Sequence, residues 1–418
     1  MKRIAVIGAG IAGLAAARGL AGHGSVTLYE AGDHFGGHAH TVDVSLGGRT
    51  HGVDIGFIAF NEAAAPKLSA LLAELGVATV SAEMTFSVQV PAAGIEWSSA
   101  GAAGIFAQPT NAARLAFWNM LGEIPRFNRH AKALARVATV AAHDDSVGDF
   151  LAAHRFSKGF RDWYLLPLLG CIWSCPTEQM LRMPAAAMAR FCRDHGLLEA
   201  LGRPRWQSVK GGADVYVHRI LASIADARLS TPVRRVKRLP VGGADVSTDR
   251  GTERFDAVVF ACHSVDALAL LADPSATELE VLGAFHYQRN RAILHTDARM
   301  LPLRPAAWAA WNYEAGRDRE VEAVCVHVLV NRLQPLPFDV PVIVSLNPIM
   351  EPAAASVQGE FHFSHPVFDR RALIARARLP ELQGRAGTWF CGAWTGLGSH
   401  EDGLASALEV CARLAPGG

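Results

Sequence analysis

The sequence predicts an α/β fold in which a Rossmann-like dinucleotide-binding domain, discontinuous along the chain, carries an inserted α+β domain. Two observations predict it. Ile4-Ala5-Val6-Ile7 is a short apolar run of the kind buried in parallel sheets, and it leads directly into Gly8-Ala9-Gly10-Ile11-Ala12-Gly13. Two further strand-like runs, Ala257 to Cys262 and Thr388 to Cys391, return only after long intervening blocks.

In the glycine triplet, Gly8 permits a tight turn and Gly10 lets the backbone approach a pyrophosphate. Gly13 lets the helix that follows, Leu14 to Leu20, pack on the strand. The start of that helix offers free N–H groups and a positive dipole end to the phosphates. A second strand, Val26 to Glu30, ends in an acid placed to accept from a ribose 2′-OH. Strand, turn, helix, strand and terminal acid, in that order, specify an adenine dinucleotide site.

This first stretch covers residues 1–62. Residues 63–204 read as a mainly helical block, in which Leu68, Leu71, Leu72 and Leu75 recur at helical spacing, as do Leu115, Trp118, Leu121 and Ile124. The second stretch of the nucleotide domain, 205–265, opens a helix at Gly211-Gly212-Ala213 that continues through Tyr216, Ile220 and Ile224. A strand-like segment from Arg228 to Val233 follows, then hairpin turns at Gly242-Gly243 and Arg250-Gly251. Residues 266–383 mix strand with helix, and Val324 to Val330 is too densely apolar for clean alternation. The third stretch, 384–418, contains a strand, a glycine-rich loop and a helix from Gly403 to Leu414. The two inserted blocks form a substrate domain.

Downstream of Glu30 lie Ala31-Gly32-Asp33-His34-Phe35-Gly36-Gly37-His38 and Val53-Asp54-Ile55-Gly56-Phe57. Here the chain resembles the flavin-containing amine oxidase superfamily, which includes protoporphyrinogen oxidases and carotenoid desaturases. It is most similar to a bacterial subgroup described as predicted NAD/FAD-binding oxidoreductases. The subgroup's segments stand here as Gly56 to Glu62, Ile172-Trp173-Ser174, Trp311-Asn312-Tyr313, Asn331 to Gln334, Ser345 to Pro348 and His400 to Gly403. The resemblance implies a glutathione-reductase-type FAD-binding domain with amine-oxidase-like architecture, and FAD as cofactor. It implies cofactor contacts at Ala31, Gly36, Gly37, His38, Gly56, Phe57, Val233, Gly392, Glu401, Asp402, Gly403 and Leu404. These join Gly8, Gly10, Ile11, Ala12, Gly13 and Glu30 of the fingerprint.

The C-terminal loop Gly392 to Gly403 is again a glycine-rich turn before a helix, a geometry suited to anions. By resemblance its amides face the flavin's pyrimidine edge, where a helix N-terminus stabilises the negative charge of reduced flavin by roughly 0.3–2 kcal/mol. Asp402 suits both a helix cap and a cofactor contact. Aligning on Asp402-Gly403 places His400 where amine oxidases carry an aromatic cage residue, which makes His400 the candidate catalytic acid or base. Amine oxidases also place a lysine near flavin N5, and the comparable segment, Tyr287 to His295, has none. Both departures disfavour amine oxidation.

The remaining residues bound the reading. A length of 418 residues suits two or three domains, and a net charge of +1 gives no electrostatic footprint for nucleic acid. Seven cysteines without a CxxC pair fit buried thiols in a reducing cytosol. Lys2-Arg3 before an apolar stretch imitates a secretory signal, but the glycine fingerprint occupies that stretch. No apolar run reaches the length of about 18 residues that suggests a membrane span. His38-x-His40 and Glu360-x-His362 lack further ligands at fitting spacing, so no metal is expected. No GxSxG nucleophile motif is present.

Trp163, Tyr164, Trp173, Phe191, Trp308, Trp311, Tyr313 and Trp394 supply core or the lining of an apolar tunnel. The expectation is a cytoplasmic FAD-dependent oxidoreductase of a small hydrophobic substrate. The subgroup's association with cyclopropane-fatty-acid-synthase-like methyltransferases implies an acyl lipid, dehydrogenated or desaturated, and places the chain in lipid metabolism. It also implies a methyltransferase pathway partner and peripheral contact with the inner membrane. The alternatives are a flavin amine oxidase and a non-catalytic flavin-bearing accessory protein.

Overall fold

The computed structural model describes residues 2–136, 145–199, 204–316 and 324–415. Its first sheet is parallel throughout and draws its strands from three distant parts of the chain. The order across it is Asp226–Arg228, Gly24–Tyr29, Lys2–Ile7, Ala257–Phe260, Thr388–Phe390. In chain order this reads 3-2-1-4-5, so the order reverses at Lys2–Ile7, beside the glycine turn. Ligands of open α/β sheets bind at such a reversal, outside the carboxyl ends of the strands. The helix Ile11–Leu20 and the C-terminal helix His400–Leu414 pack together on one face, burying Leu14, Leu20, Leu404 and Val410. A three-stranded antiparallel meander, Val233–Arg238, Ala244–Thr248 and Gly251–Phe255, packs on the other.

The second large sheet has seven strands in the order Val357–Val367, His286–His295, Ile343–Leu346, Cys325–Leu329, Trp311–Glu314, Phe86–Val90, Ile95–Ser98. The last two come from the mainly helical block. Helices Leu115–Ala135, Leu166–Trp173 and Ala185–Asp194 belong to the same apolar core. Among the described residues no helix is long and apolar enough to cross a membrane.

Several elements differ from the sequence reading. The segment from Arg228 to Val233 is not one strand: the chain turns through Ser230, whose φ is 45°, between the parallel strand and the meander. The helix expected at Gly403 begins at His400. Ser399 is its cap, and the Ser399 hydroxyl and Asp402 carboxylate exchange hydrogen bonds with each other's backbone N–H. Helix Leu115–Ala135 exists, but its buried stripe is Phe117, Met120, Glu123 and Phe127. Leu115 is 87% exposed and Trp118 is 50% exposed. Helix Pro66–Glu74 buries Leu68, Leu71 and Leu72 as the spacing requires. Residues 416–418, the end of the third stretch, lie outside the described residues.

Candidate functional site

A cleft of about 900 Å³ runs along the carboxyl edge of the parallel sheet and under the seven-stranded sheet. Its residues divide into a polar, glycine-walled half and an apolar half.

In the first half, Gly8 N donates to Tyr29 O at 2.9 Å, tying the turn to the neighbouring strand. The Glu30 carboxylate accepts from Ala9 N and Gly32 N, each at 2.8 Å. It therefore bridges the two loops that meet here and keeps lone pairs for a hydroxyl. Gly36 N donates to Ala9 O, which draws the Gly36-Gly37-His38 segment against the first turn. A Cβ on Gly10 would meet nothing closer than Gly36 O at 4.0 Å, so the turn leaves room for a group to lie against the backbone. His38 Nε2 is buried without a hydrogen-bond partner. Burial, with His365 nearby, holds that imidazole well below its usual pKa. An open backbone cradle at a helix N-terminus fits a bound pyrophosphate.

Of the residues predicted from sequence, Gly8, Gly10, Ile11, Ala12, Glu30, Ala31, Gly36, Gly37, His38, Gly56, Phe57, Val233, Gly392, His400 and Glu401 wall the cleft. Gly13 lies beneath the turn, where a Cβ would fall 1.8 Å from Gly8 O. Asp402, Gly403 and Leu404 do not wall the cleft. Because the helix starts at His400, these three sit at the end of its first turn, with Gly403 and Leu404 buried and Asp402 half-buried on a side away from the cleft. The Asp402 carboxylate accepts from Leu397 N, Ser399 N and Ser399 Oγ. Gly403 abuts Ile11 and Ala393, and Leu404 is core. Glu401 lies at the wall, but its carboxylate is spent on Lys67 N and Leu68 N at the start of helix Pro66–Glu74.

His400 stacks on Phe57 with ring centroids 3.8 Å apart and receives the Tyr216 hydroxyl at Nε2, 2.6 Å away. Burial lowers its pKa to about 3. At neutral pH the ring is neutral and its acceptor nitrogen is occupied, which is a poor disposition for a general base. His400→Gln, which can still accept from Tyr216, is therefore expected to leave the pH profile of flavin reduction unchanged between pH 5 and 8. A fall of about 10²–10⁴-fold in the anaerobic reduction rate would restore the general-base role.

The apolar half is lined by Phe60, Cys171, Ile172, Phe191, Leu197 and Trp206 on one side and by Val326, Val328, Val344 and Leu346 of the seven-stranded sheet on the other. Alternation along Cys325–Leu329 explains its dense apolar run: Val326 and Val328 face the cleft, and the residues between them face the opposite layer. His195 also lines the cleft and was not singled out from sequence. Its Nδ1 lies 2.9 Å from Phe191 O, which assigns the proton to Nδ1 and leaves Nε2 as the acceptor. Nothing local in the sequence marks it, since Asn61, Phe191 and Trp206 reach it from three segments.

Comparison with known proteins bears on this geometry. Residues 11–297 match the family model described as flavin containing amine oxidoreductase. No curated protein matches the sequence. Among solved structures, cyclohexylamine oxidase from Brevibacterium oxydans IH-35A is 16% identical with a TM-score of 0.72, covering 99% of both chains. Putrescine oxidase bound to putrescine is 17% identical with a TM-score of 0.70, covering 99% of this chain and 98% of that one. A fatty acid isomerase from P. acnes that produces CLA is 15% identical with a TM-score of 0.66, covering 99% of both.

Proposed function

Because the chain belongs to the flavin-containing amine oxidoreductase family and is an FAD-dependent oxidoreductase, we propose that its substrate is an uncharged apolar molecule, an acyl chain that it dehydrogenates. The supporting observation is the composition of the cleft's second half. Its wall is aliphatic and aromatic, and among the described lining residues the acids are Glu30, Asp266 and Glu401. Glu30 and Asp266 lie at the nucleotide end, and Glu401 is committed to helix Pro66–Glu74. A cationic amine entering here would meet no uncommitted carboxylate, whereas burying apolar surface is favourable by roughly 25 cal/mol per Å².

FAD supplies the hydride-accepting chemistry. The protein's residues hold, orient and dry the site: Phe57 and His400 form a flat wall, and the valines of the sheet exclude water from the facing side. Exposed Leu115 and Trp118 offer apolar material for contact with a membrane surface, where an acyl lipid would be met.

The test is anaerobic mixing of the flavoprotein with long-chain acyl lipids and, separately, with primary and secondary amines. Bleaching of the flavin by an acyl lipid is expected. Bleaching by an amine alone would make the amine-oxidase alternative the correct reading.

A further inference from the structure

We propose that Glu314, Cys325 and His327 form a binding site for a divalent cation of the zinc class, on the face of the seven-stranded sheet turned away from the cleft. Strand Trp311–Glu314 pairs antiparallel with Cys325–Leu329, and the register sets Glu314 opposite Cys325. Residues opposite each other share a face, and period-two alternation puts His327 on that face too. Two adjacent strands inside a sheet thus bring three different ligand types to one point.

The distances suit an ion. His327 Nε2 lies 3.3 Å from Cys325 Sγ and 3.2 Å from Glu314 Oε2, and the three ligand atoms fall within 4.8 Å of one another. A tetrahedral zinc with nitrogen at about 2.0–2.1 Å and sulfur at about 2.3 Å holds neighbouring ligands about 3.3–3.6 Å apart. Ion entry therefore moves His327 Nε2 a few tenths of an ångström from each partner, while Cys325 Sγ and Glu314 Oε2, which lie within 4.8 Å, close toward about 3.6 Å. A thiolate and a carboxylate balance a dication, so the loaded site is neutral overall. Cys325 and His327 are buried, while the Glu314 side chain keeps 26% exposure, leaving one side open for water as a fourth ligand.

The surroundings orient the imidazole. His327 Nδ1 lies 2.7 Å from Ser345 Oγ, and that oxygen is also 2.7 Å from His295 Nε2. His295 Nδ1 accepts from Asp297 N, so His295 presents Nε2–H to the serine. Zinc on Nε2 requires His327 Nδ1–H to donate to Ser345 Oγ, the second-nitrogen bond that metal-bound histidines characteristically make. A plain His327–Glu314 ion pair needs only two of these groups and gives the buried thiol beside them no role.

The experiment measures zinc by mass spectrometry in the full-length flavoprotein, after incubation with zinc and passage over a chelating resin. About one zinc per chain is expected, with one sulfur neighbour at about 2.3 Å in the zinc-edge X-ray absorption spectrum. Cys325→Ser and His327→Gln should lose the ion, and Cys192→Ser, which removes another buried thiol, should keep it. Ser345→Ala should weaken zinc affinity about 10–100-fold while retaining the sulfur ligand. Wild-type protein that leaves the resin without zinc, zinc with no sulfur neighbour, or full zinc in Cys325→Ser would each overturn the site. If the variants do not fold, the absorption spectrum of the wild type decides alone.

Discussion

Gly10→Val is expected to give a folded protein without flavin, and Gly13→Val a protein that does not fold. The two glycines stand three residues apart in one motif, but they face opposite ways. Gly10 has extended backbone, φ −68° and ψ −179°, and open space where a side chain would go. Valine is compatible with that backbone and would fill the cradle that a pyrophosphate needs. At Gly13 a Cβ would lie 1.8 Å from Gly8 O and 2.9 Å from Gly8 C, both backbone atoms that hold the first turn. Overpacking of this kind costs about 1–3 kcal/mol or more, and here the neighbours are backbone that cannot rotate away. The wild type should purify yellow, and acid precipitation should release its flavin. Added FAD should raise its thermal midpoint, since a ligand bound only by the native state stabilises by mass action. Gly10→Val should melt like flavin-free wild type and ignore added FAD. Full flavin occupancy in Gly10→Val would remove the fingerprint from the cofactor site.

The second large effect is expected at Asp54. Its carboxylate accepts from Thr41 Oγ1 at 2.6 Å, Ala213 N at 2.8 Å and Gln334 Nε2 at 2.8 Å, while Asp54 N donates to Gln334 Oε1 at 3.0 Å. One buried side chain thus joins the hairpin Thr41–Asp54, the glycine pair before helix Asp214–Leu221 and the substrate domain. Asp54→Ala strands three donors, and an unsatisfied buried group costs about 1–3 kcal/mol, so a loss of about 3 kcal/mol or more is expected in chemical denaturation.

The pH dependence has a definite sign. Burial raises Asp54 to about 7, although Thr41 and Ala213 oppose it. A carboxyl whose pKa is higher folded than unfolded binds the extra proton in the native state, so its contribution declines as pH rises from about 4 through 7. The stability of wild type relative to Asp54→Asn should therefore fall between pH 5 and pH 8. A constant difference would show that the three donors hold the group ionised throughout.

These residues also mark where sequence reasoning succeeds and stops. The glycine fingerprint and Glu30 were legible because turn, helix start and strand end are local and each residue type has one geometric reason to be there. The stripe Leu115, Trp118, Leu121 and Ile124 misled because a second stripe competes with it. The stripe that is buried contains Glu123, whose carboxylate accepts from Ser157 N and Ser157 Oγ and so tolerates burial. Arg126, three residues on, pairs with the same carboxylate and is a local partner, whereas Ser157 comes from 34 residues away. Ser399-His400-Glu401-Asp402 carries the spacing of a capping box, so the earlier helix start was readable in principle. The quenching of His400 was not, because Tyr216 arrives from 184 residues away. Glu314 and Cys325-Val326-His327 were invisible as a group for the same reason: only the strand register makes them neighbours.

The parallel sheet has a consequence for how the chain is made. Ile4 pairs with Ala257, and Val258 with Thr388, so the N-terminal strand emerges from the ribosome long before its partners. At about 5–20 residues per second, some 20–80 s separate the first strand from the last. Until Asp226 to Phe260 emerge, Ile4 to Ile7 and Val26 to Tyr29 can pair only with each other. Afterwards Ala257 to Phe260 stays a bare apolar edge until Thr388 arrives, the kind of surface that recruits chaperones or drives aggregation. Truncation before residue 388 should therefore yield insoluble protein rather than a smaller folded domain, and soluble expression should respond more to chaperone supply than to added flavin.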